Sequence, residues 1–198
     1  MNILLYIAIG AIGLGVFSQV KTNKSVSNAE TPKYEVLKSF DSFEIRKYPE
    51  MIVAYSDMGS GKYSDKSSSG FRTVASYIFG GNDEKKQIAM TSPVIAEMGD
   101  NMKMSFVMPE SYAIDDLPTP KNENVKIEIE QAKTVAVIGF GGFANDADIM
   151  RYTKKLQTLL KESRMENTGK VFFYGYNPPY QLFNRINEIA IEIRNYEE

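Results

Sequence analysis

The sequence predicts an α+β domain in which two similar halves, related by a pseudo-twofold axis, build one antiparallel, barrel-like sheet with two flanking helices. Two observations predict this fold. The order strand, strand, helix, strand, strand occurs twice after residue 34, and each predicted helix carries one apolar stripe. Four strands alone would leave an apolar sheet face open, so the proline-containing stretch 115–120 is interpreted as a connection within one domain.

The first half is predicted from alternating strands and one helical stripe. Pro49 separates two strands, because proline cannot donate a hydrogen bond to a ladder. A loop rich in Gly, Ser and Lys is predicted over residues 59–69, with a mobile segment at 62–66. Gly80-Gly81-Asn82 is predicted to end the helix that follows. The predicted elements are strands at 43–48 and 51–58, a helix with Phe71, Val74, Ala75 and Ile78 on its apolar face, and strands at 88–98 and 102–108.

The second half repeats this order of elements. Val125, Ile127 and Ile129 alternate with charged residues, which predicts a strand with one solvent-exposed face. Asn145 is predicted to cap the second helix through its side-chain oxygen. The predicted elements are strands at 125–130 and 134–140, a helix at 147–163 with the apolar stripe Ile149, Tyr152, Leu156, Leu159 and Leu160, and strands at 171–176 and 188–194.

Composition excludes several classes of function. The 198-residue chain contains no cysteine and no histidine, so zinc–thiolate sites, iron–sulfur clusters and histidine-activated nucleophiles are excluded. The net charge is −2 and no basic run occurs, which is atypical of nucleic-acid binding. We therefore expect a binding protein without a structural metal. An acid–base enzyme, such as a hydrolase or a metal dechelatase, stays an open hypothesis, although nothing in their spacing singles out Glu44 or Glu97.

An apolar run at residues 3–17 predicts a targeting segment. It carries no charge and is shorter than the roughly 20 residues that span a bilayer comfortably. We expect an exported, periplasmic or membrane-anchored protein. Lys21 and Lys24 leave one alternative open, because in an uncleaved segment they favour the cytoplasmic side for the domain. The predicted organisation is a signal peptide or membrane anchor at 1–20, a polar linker at 21–33 and the domain at 34–198.

A series of short motifs resembles the SOUL/haem-binding protein family. Each motif is weak alone, but together they occur in the family's order over nearly all of residues 34–194. The resemblance implies a duplicated barrel fold, an architecture that is similar in gyrase-inhibitor-like effector-binding domains. The motifs are Glu44-Ile45-Arg46 with Tyr48, Gly70-Phe71, Tyr77-Ile78, Gly81-Asn82, the run IAMTSPV at 88–94, Phe106-Val107-Met108-Pro109, Leu117-Pro118 with Pro120, Phe140-Gly141-Gly142, Gly175-Tyr176 with Pro178-Pro179, and Asn187-Glu188.

The resemblance implies non-covalent binding of haem or another tetrapyrrole in a shallow apolar groove along the first helix. One branch of the family has an axial histidine within the Glu-Ile-Arg-x-Tyr motif, and Lys47 stands at that position here. A protonated lysine is a poor iron ligand. The positions aligned with propionate-binding lysines hold Ser76 and Gln181. The cations expected to replace them are Arg72, Lys62, Lys66 and Arg185.

The methionine and tyrosine residues allow two interpretations each. Met104, Phe106 and Met108 alternate on one strand face and are expected in the core, although Met-rich surfaces also fit flat ligands. The loop around Tyr180 is expected to be a rigid hairpin turn, although a tyrosinate can bind ferric iron. The candidate ligand-binding residues are Lys47, Phe71, Arg72, Ala75, Ser76, Tyr77, Phe79, Tyr180, Gln181 and Arg185.

Two binding functions follow from these observations. The first is a carrier or scavenger that holds haem or another porphyrin non-covalently at the cell envelope, without a histidine axial ligand. The alternative is a general binder of amphipathic hydrophobic small molecules, as in gyrase-inhibitor-like domains. Both predict a small hydrophobic ligand and no nucleic-acid partner, with membrane contact through the N-terminal segment if that segment is not cleaved.

Overall fold

The computed structural model describes residues 29–194 and residue 196; the predicted leader and most of the predicted linker lie outside them. Within the described residues, nine antiparallel strands form one sheet, and two helices pack on one of its faces. The predicted fold class is confirmed. The elements are β1 (Glu35–Ser39), β2 (Glu44–Tyr48), β3 (Met51–Gly59), α1 (Tyr63–Ile78), β4 (Val94–Met98), β5 (Met102–Val107), a 3₁₀ turn (Ile114–Asp116), β6 (Lys126–Glu130), β7 (Lys133–Gly141), α2 (Asp146–Glu162), β8 (Asn167–Gly175) and β9 (Ile186–Ile193).

The strand order reveals the internal duplication. The sheet runs β1-β2-β7-β9-β8-β4-β5-β3-β6. Strands β2, β3, β4 and β5 of the first half correspond to β6, β7, β8 and β9 of the second half. Replacing every strand by its counterpart reverses the order β2-β7-β9-β8-β4-β5-β3-β6. The pseudo-twofold axis therefore passes between β4 and β8, where Ala96 pairs with Phe173. The first strand of each half pairs with the other half, β2 with β7 and β6 with β3, so the two halves form one folding unit.

The two sheet faces bury different cores. The helix-covered face contains Ile189, Ile191 and Ile193, with α1 and α2 packed over it. The buried hydrophobic side chains of the helix-free face all come from strands, among them Tyr48 and Phe172. Successive side chains on a strand point to opposite faces, so every second residue contributes to each core.

The first helix begins earlier than predicted. It starts at Tyr63, so the predicted loop at 59–69 and mobile segment at 62–66 are wrong for most of their length. Tertiary contacts explain the difference. The Tyr63 ring packs edge-on against Phe173 with 5.1 Å between ring centroids, and Ser64 N donates to Asp146 Oδ1 at 3.3 Å. These contacts fix a serine-rich turn whose intrinsic helix propensity is modest.

The strand predicted at 88–98 is also shorter than expected, because only Val94–Met98 is extended in the sheet. The preceding segment is held by other bonds: Ile88 N donates to Ile78 O at 2.8 Å, and Thr91 Oγ1 donates to Val107 O at 2.6 Å. The predicted N-cap is confirmed, since Asn145 Oδ1 accepts from Asp148 N at 3.0 Å. No helix among the described residues is long and apolar enough to cross a membrane.

Candidate functional site

The ten candidate residues do not share one surface. They lie in three places: along α1, on strand β2, and in the connection between β8 and β9. Those on α1 divide further into buried and exposed side chains. The geometry of each place decides which residues are accessible to a ligand.

Three of the α1 candidates belong to the core. Ala75 and Tyr77 are buried, and Phe71 is half-buried with its ring centroid 5.2 Å from that of Phe106. The Tyr77 hydroxyl donates to Pro118 O at 3.0 Å, and burial raises the pKa of Tyr77 to about 12. Ala75 and Tyr77 are therefore inaccessible to a ligand, and Tyr77 holds the connection between the two halves at Pro118.

The other three candidates, on α1 and at its C-terminal end, form an exposed stripe. Arg72, Ser76 and Phe79 follow one another at helical spacing, and all three are exposed. Ser76 Oγ donates to Thr73 O at 2.7 Å, so its hydroxyl is directed to the helix backbone. Arg72 is therefore the charged group of this stripe and Phe79 its apolar group.

Lys47 lies on a strand and not on the helix. It is exposed on β2, where it pairs with Glu35 on β1 and Thr134 on β7. Helix α1 packs mainly on β3 and β5. Lys47 is therefore not one of the residues of the exposed stripe.

The β8–β9 connection and the β7–α2 connection expose a group of large apolar side chains. We call Phe143, Tyr180, Leu182 and Phe183 the loop-end patch. Their exposed fractions are 55%, 82%, 64% and 79%, respectively. The two connections are joined by Asn187 Nδ2, which donates to Gly142 O at 2.8 Å, and by the Arg185 guanidinium, which lies 4.3 Å from the centroid of the Phe143 ring. Exposed apolar surface of this kind makes the loop-end patch a candidate binding surface.

Sequence analysis predicted only Tyr180 among these four residues. The exposure of Phe143, Leu182 and Phe183 was not predicted, because a large apolar side chain in a loop can equally well be buried against the end of the barrel. One signal for them was present: the run Tyr180 to Phe183 places three large apolar residues in a proline-containing loop.

Arg185 organises the loop from within. Its Nη1 donates to Pro178 O at 2.7 Å and to Gln181 O at 2.8 Å, and its Nη2 donates to Asn177 O at 3.2 Å. Gln181 N donates to Pro178 O at 3.1 Å, which closes a β-turn with Pro179 and Tyr180 at its centre. Both Nη atoms of Arg185 thus bind backbone carbonyls of the loop, so Arg185 positions the turn, and its contact with a ligand propionate stays a prediction.

Sequence analysis also missed a buried polar cluster on the helix-free face. Arg46 Nη1 and Nη2 donate to Glu188 Oε2 and Oε1, each at 3.0 Å, and Arg46 Nε donates to Glu44 Oε2 at 2.9 Å. The Tyr176 hydroxyl donates to Glu188 Oε2 at 2.6 Å. Burial raises the pKa of Tyr176, and the nearby Glu188 charge raises it further. The motifs that carried the family resemblance therefore meet in space across 142 residues of sequence.

The segment that precedes β1 covers this cluster. Ser92 N donates to Glu30 O at 2.8 Å, which holds the segment next to the residues that precede β4. At its other end, the Tyr34 ring lies 4.5 Å from the Arg46 guanidinium and 5.2 Å from the Tyr48 ring. The segment thus crosses from β4 to β2 over the helix-free face.

No group of three or more Asp, Glu, His or Cys side chains arranged to hold a metal ion occurs in the described part of the chain. The candidate surfaces are therefore the loop-end patch, the exposed stripe of α1 and the cluster around Arg46 and Glu188. They differ in exposure: the first two are open to solvent, and the third is enclosed.

Comparison with known families agrees with this architecture. The family model described as SOUL heme-binding protein matches residues 29–192. The chain belongs to the SOUL family. Its members' established ligand class, haem and related tetrapyrroles, is thereby supported at the level of the family.

Curated proteins that are similar to this chain are named heme-binding proteins. Heme-binding protein 1 of Xenopus tropicalis is 27% identical over 190 residues, covering 91% of this chain and 96% of the relative. Heme-binding protein 2 of Homo sapiens is 30% identical over 163 residues, covering 78% of this chain and 79% of the relative.

Solved structures with low sequence identity share the fold. The EcmrR C-terminal domain superposes with a TM-score of 0.61 at 11% identity, covering 82% of this chain and 99% of that one. A hydrolase from Listeria innocua superposes with a TM-score of 0.51 at 10% identity, covering 88% and 97%. At such identities these likenesses concern the fold alone.

Proposed function

We propose that this SOUL-family protein binds haem or another tetrapyrrole non-covalently at its loop-end patch, and that it acts as a carrier or scavenger at the cell envelope without a histidine axial ligand. The observation that carries the proposal is the exposure of four large apolar side chains at one end of a domain from a haem-binding family. A flat macrocycle would cover this surface and remove it from water.

Charge near the patch supports the same ligand class. Tetrapyrroles such as haem carry propionate groups, which pair with Lys or Arg side chains. The contact between Ser64 N and Asp146 Oδ1 joins the first turn of α1 to the first turn of α2, three residues after Phe143. Lys62 and Lys66 lie in and beside that first turn of α1, so we infer that they meet the propionates.

The envelope location rests on the sequence. The uncharged run at 3–17 and the polar stretch that follows favour export or anchoring, with the domain held at the end of a tether. A fusion of residues 1–33 to a reporter enzyme active only outside the cytoplasm tests this part. Reporter activity supports export, and activity confined to the cytoplasm contradicts it.

Binding is tested by titrating the full chain with hemin and, separately, with metal-free protoporphyrin IX, followed by absorption and tyrosine fluorescence. The double variant Leu182→Ser with Phe183→Ser should weaken binding of both compounds at least about tenfold, because it replaces apolar contact surface by polar groups. Ile114→Ser is the matched control, since it removes an exposed apolar side chain from a different connection. Equal loss in both variants, or no loss in either, contradicts the assignment of the patch.

The buried cluster favours a second candidate function, the binding of amphipathic cations. Glu44 and Glu188 carry two negative charges against the single positive charge of Arg46, and the rings of Tyr34, Tyr48 and Tyr176 surround them. Aromatic rings and an excess carboxylate suit a hydrophobic cation. Displacement of the segment before β1 would be needed for access.

A thermal-shift comparison separates the two functions. A lipophilic phosphonium cation should raise the melting temperature under the second candidate and leave it unchanged under the first. Stabilisation by anionic porphyrins alone removes the second candidate. Stabilisation by the cation that is lost in Glu44→Gln favours it.

A further inference from the structure

We propose that the Tyr180 phenolate is the protein ligand to iron when this chain binds ferric haem, and that Tyr180 thereby makes the site selective for ferric haem over metal-free porphyrin and over ferrous haem. This inference rests on the proposed function and specifies which atom of the loop-end patch contacts the metal.

The composition restricts the choice of iron ligand. Haem iron in proteins is held by histidine, cysteine, methionine or tyrosine side chains. The full chain has neither histidine nor cysteine, so the methionine thioether and the tyrosinate remain. The methionines of β5 and its end, Met102, Met104 and Met108, are buried in the helix-covered core. Met150 on α2 is exposed and is the thioether to test against the phenol.

Burial separates Tyr180 from the other tyrosines near the barrel. Burial raises the pKa of Tyr63 and Tyr77 to about 12 and also raises the pKa of Tyr174 and Tyr176, which keeps these phenols protonated and out of reach. Tyr180 has the highest exposed fraction of any tyrosine in the described residues, 82%. An iron ligand must be accessible and able to lose its proton, and Tyr180 satisfies the first condition where the buried phenols do not.

The loop presents this phenol on a fixed turn. Tyr180 occupies the third position of the β-turn closed by Gln181 N and Pro178 O, and Pro179 restricts the preceding backbone angle. Arg185 Nη1 binds the carbonyls at both ends of that turn, Pro178 O and Gln181 O. A turn braced in this way loses less conformational entropy when its tip binds a ligand.

The surroundings of Tyr180 suit a macrocycle. Leu182 and Phe183 follow it in the same loop and provide apolar surface for a porphyrin face. Gln181 Nε2 donates to Phe183 O at 3.1 Å, which holds the loop after the turn. The apolar side chains thus supply affinity for the ring, and the phenol supplies the preference for its metal.

The ligation step is a proton-releasing exchange at constant oxidation state. When ferric haem is bound, Tyr180 would supply an anionic oxygen ligand: its phenolic proton would pass to water, a solvent molecule would leave the iron, and the iron would stay ferric. An anionic oxygen ligand stabilises iron(III) more than iron(II), so reduction should weaken binding.

The experiment is a titration of the full chain and its Tyr180→Phe variant with hemin, with dithionite-reduced haem and with metal-free protoporphyrin IX. We expect the wild type to show a phenolate-to-iron charge-transfer absorption band with hemin. Tyr180→Phe should abolish the band and weaken hemin binding at least about tenfold, while protoporphyrin IX binding stays unchanged. Tyr112→Phe, which removes a phenolic hydroxyl from the connection after β5, is the matched control and should retain the band.

Each outcome distinguishes the inference from the proposed function. Retention of the band and of hemin affinity in Tyr180→Phe overturns the Tyr180 ligand while porphyrin binding stands, and a loss of hemin affinity in Met150→Leu would then point to the thioether. Equal weakening of hemin and protoporphyrin IX in Tyr180→Phe also overturns it, because the ring would then act by packing alone. Failure of the wild type to bind either porphyrin overturns the proposed function and the inference with it.

Discussion

The two halves of the domain share one order of elements, but the long connection lies between different elements in each half. In the first half the long connection follows the helix, at residues 79–93, and β4 joins β5 through 99–101. In the second half, 163–166 joins α2 to β8, and the long connection is 176–185, between β8 and β9. The two halves therefore share the order of strands and helices, whereas the lengths of their connections differ.

The two long connections also differ in what they do with their polar and apolar groups. The first folds inward around Asn82, whose buried side chain bonds to Tyr77 O and to both backbone groups of Lys86. The second folds around Arg185 and turns Tyr180, Leu182 and Phe183 outward. The comparison teaches that one long connection stabilises the barrel, whereas the other presents the candidate ligand surface.

The largest expected effect comes from the ion pair that joins the halves. Arg46→Ala would leave the buried Glu188 carboxylate without its cationic partner, so we expect the free energy of unfolding to fall by about 3–5 kcal/mol in urea titrations. The control is Lys33→Ala, which breaks an exposed pair with Glu110 and should cause no measurable change. Similar stabilities for the two variants would mean that the halves are not held together here.

The second effect tests the inward-folded connection. A Cβ at Gly81 would lie 2.5 Å from Ser76 O, a backbone atom that cannot move aside cheaply. Gly81→Ala should therefore lower the free energy of unfolding by about 1–3 kcal/mol. Gly139→Ala is the control in the second half, since its Cβ would approach only Asn187 O, at 3.9 Å. A loss for Gly139→Ala as large as that for Gly81→Ala would contradict the argument.

The third effect tests the outward-folded connection. Arg185→Ala removes the hydrogen bonds to three loop carbonyls, which should lower stability by about 1 kcal/mol. The larger consequence is local: limited proteolysis should cut within 177–185 sooner than in the wild type, because the turn loses its brace. Arg151→Ala, which breaks an exposed pair on α2, should leave the cleavage pattern unchanged. Unaltered cleavage in Arg185→Ala would show that the turn is stable without the clamp.

The last expected effect, which is visible only at alkaline pH, is a pH dependence of stability that arises in the first half. Burial raises the pKa of Tyr77 to about 12 in the folded chain, above the value of 10.0 in the absence of structure. The unfolded chain therefore releases this proton at lower pH, and the stability contributed by the neutral phenol is complete below about pH 10 and lost as pH rises toward 12.

Tyr77→Phe should accordingly flatten the alkaline decline of stability, measured by urea unfolding at a series of alkaline pH values. The variant should also be less stable than the wild type at neutral pH, since the bond to Pro118 O is lost. An alkaline decline as steep as that of the wild type would mean that Tyr77 does not contribute to it.

The sequence predicted elements well where one local pattern was sufficient. Ile189, Ile191 and Ile193 alternate, and the structure confirms all three on one face. Asn145 precedes an amphipathic run, and the structure confirms its cap. The sequence did not predict the start of α1 at Tyr63, because contacts with Phe173 and Asp146, more than 80 residues away, outweigh the local preference of a serine-rich segment.

The site was predictable only in outline. Tyr180, Gln181 and Arg185 were predicted to lie near the ligand, and that assignment stays a prediction for the titrations above. The apolar stripe of the helix placed Ala75 in the core, but it did not separate the exposed Phe79 from the buried Tyr77. Both lie outside that stripe, and only the neighbouring elements decide which of them is covered.

The sequence by itself determined the fold class, the internal duplication, the family and the absence of histidine and cysteine ligands, because these depend on residue type and periodicity. Only the tertiary structure decided which side chains are exposed and which distant residues meet. Arg46 and Glu188 pair across 142 residues, and Arg185 is engaged by its own loop. Burial and pairing of this kind depend on how strands from both halves close on each other, which no local pattern encodes.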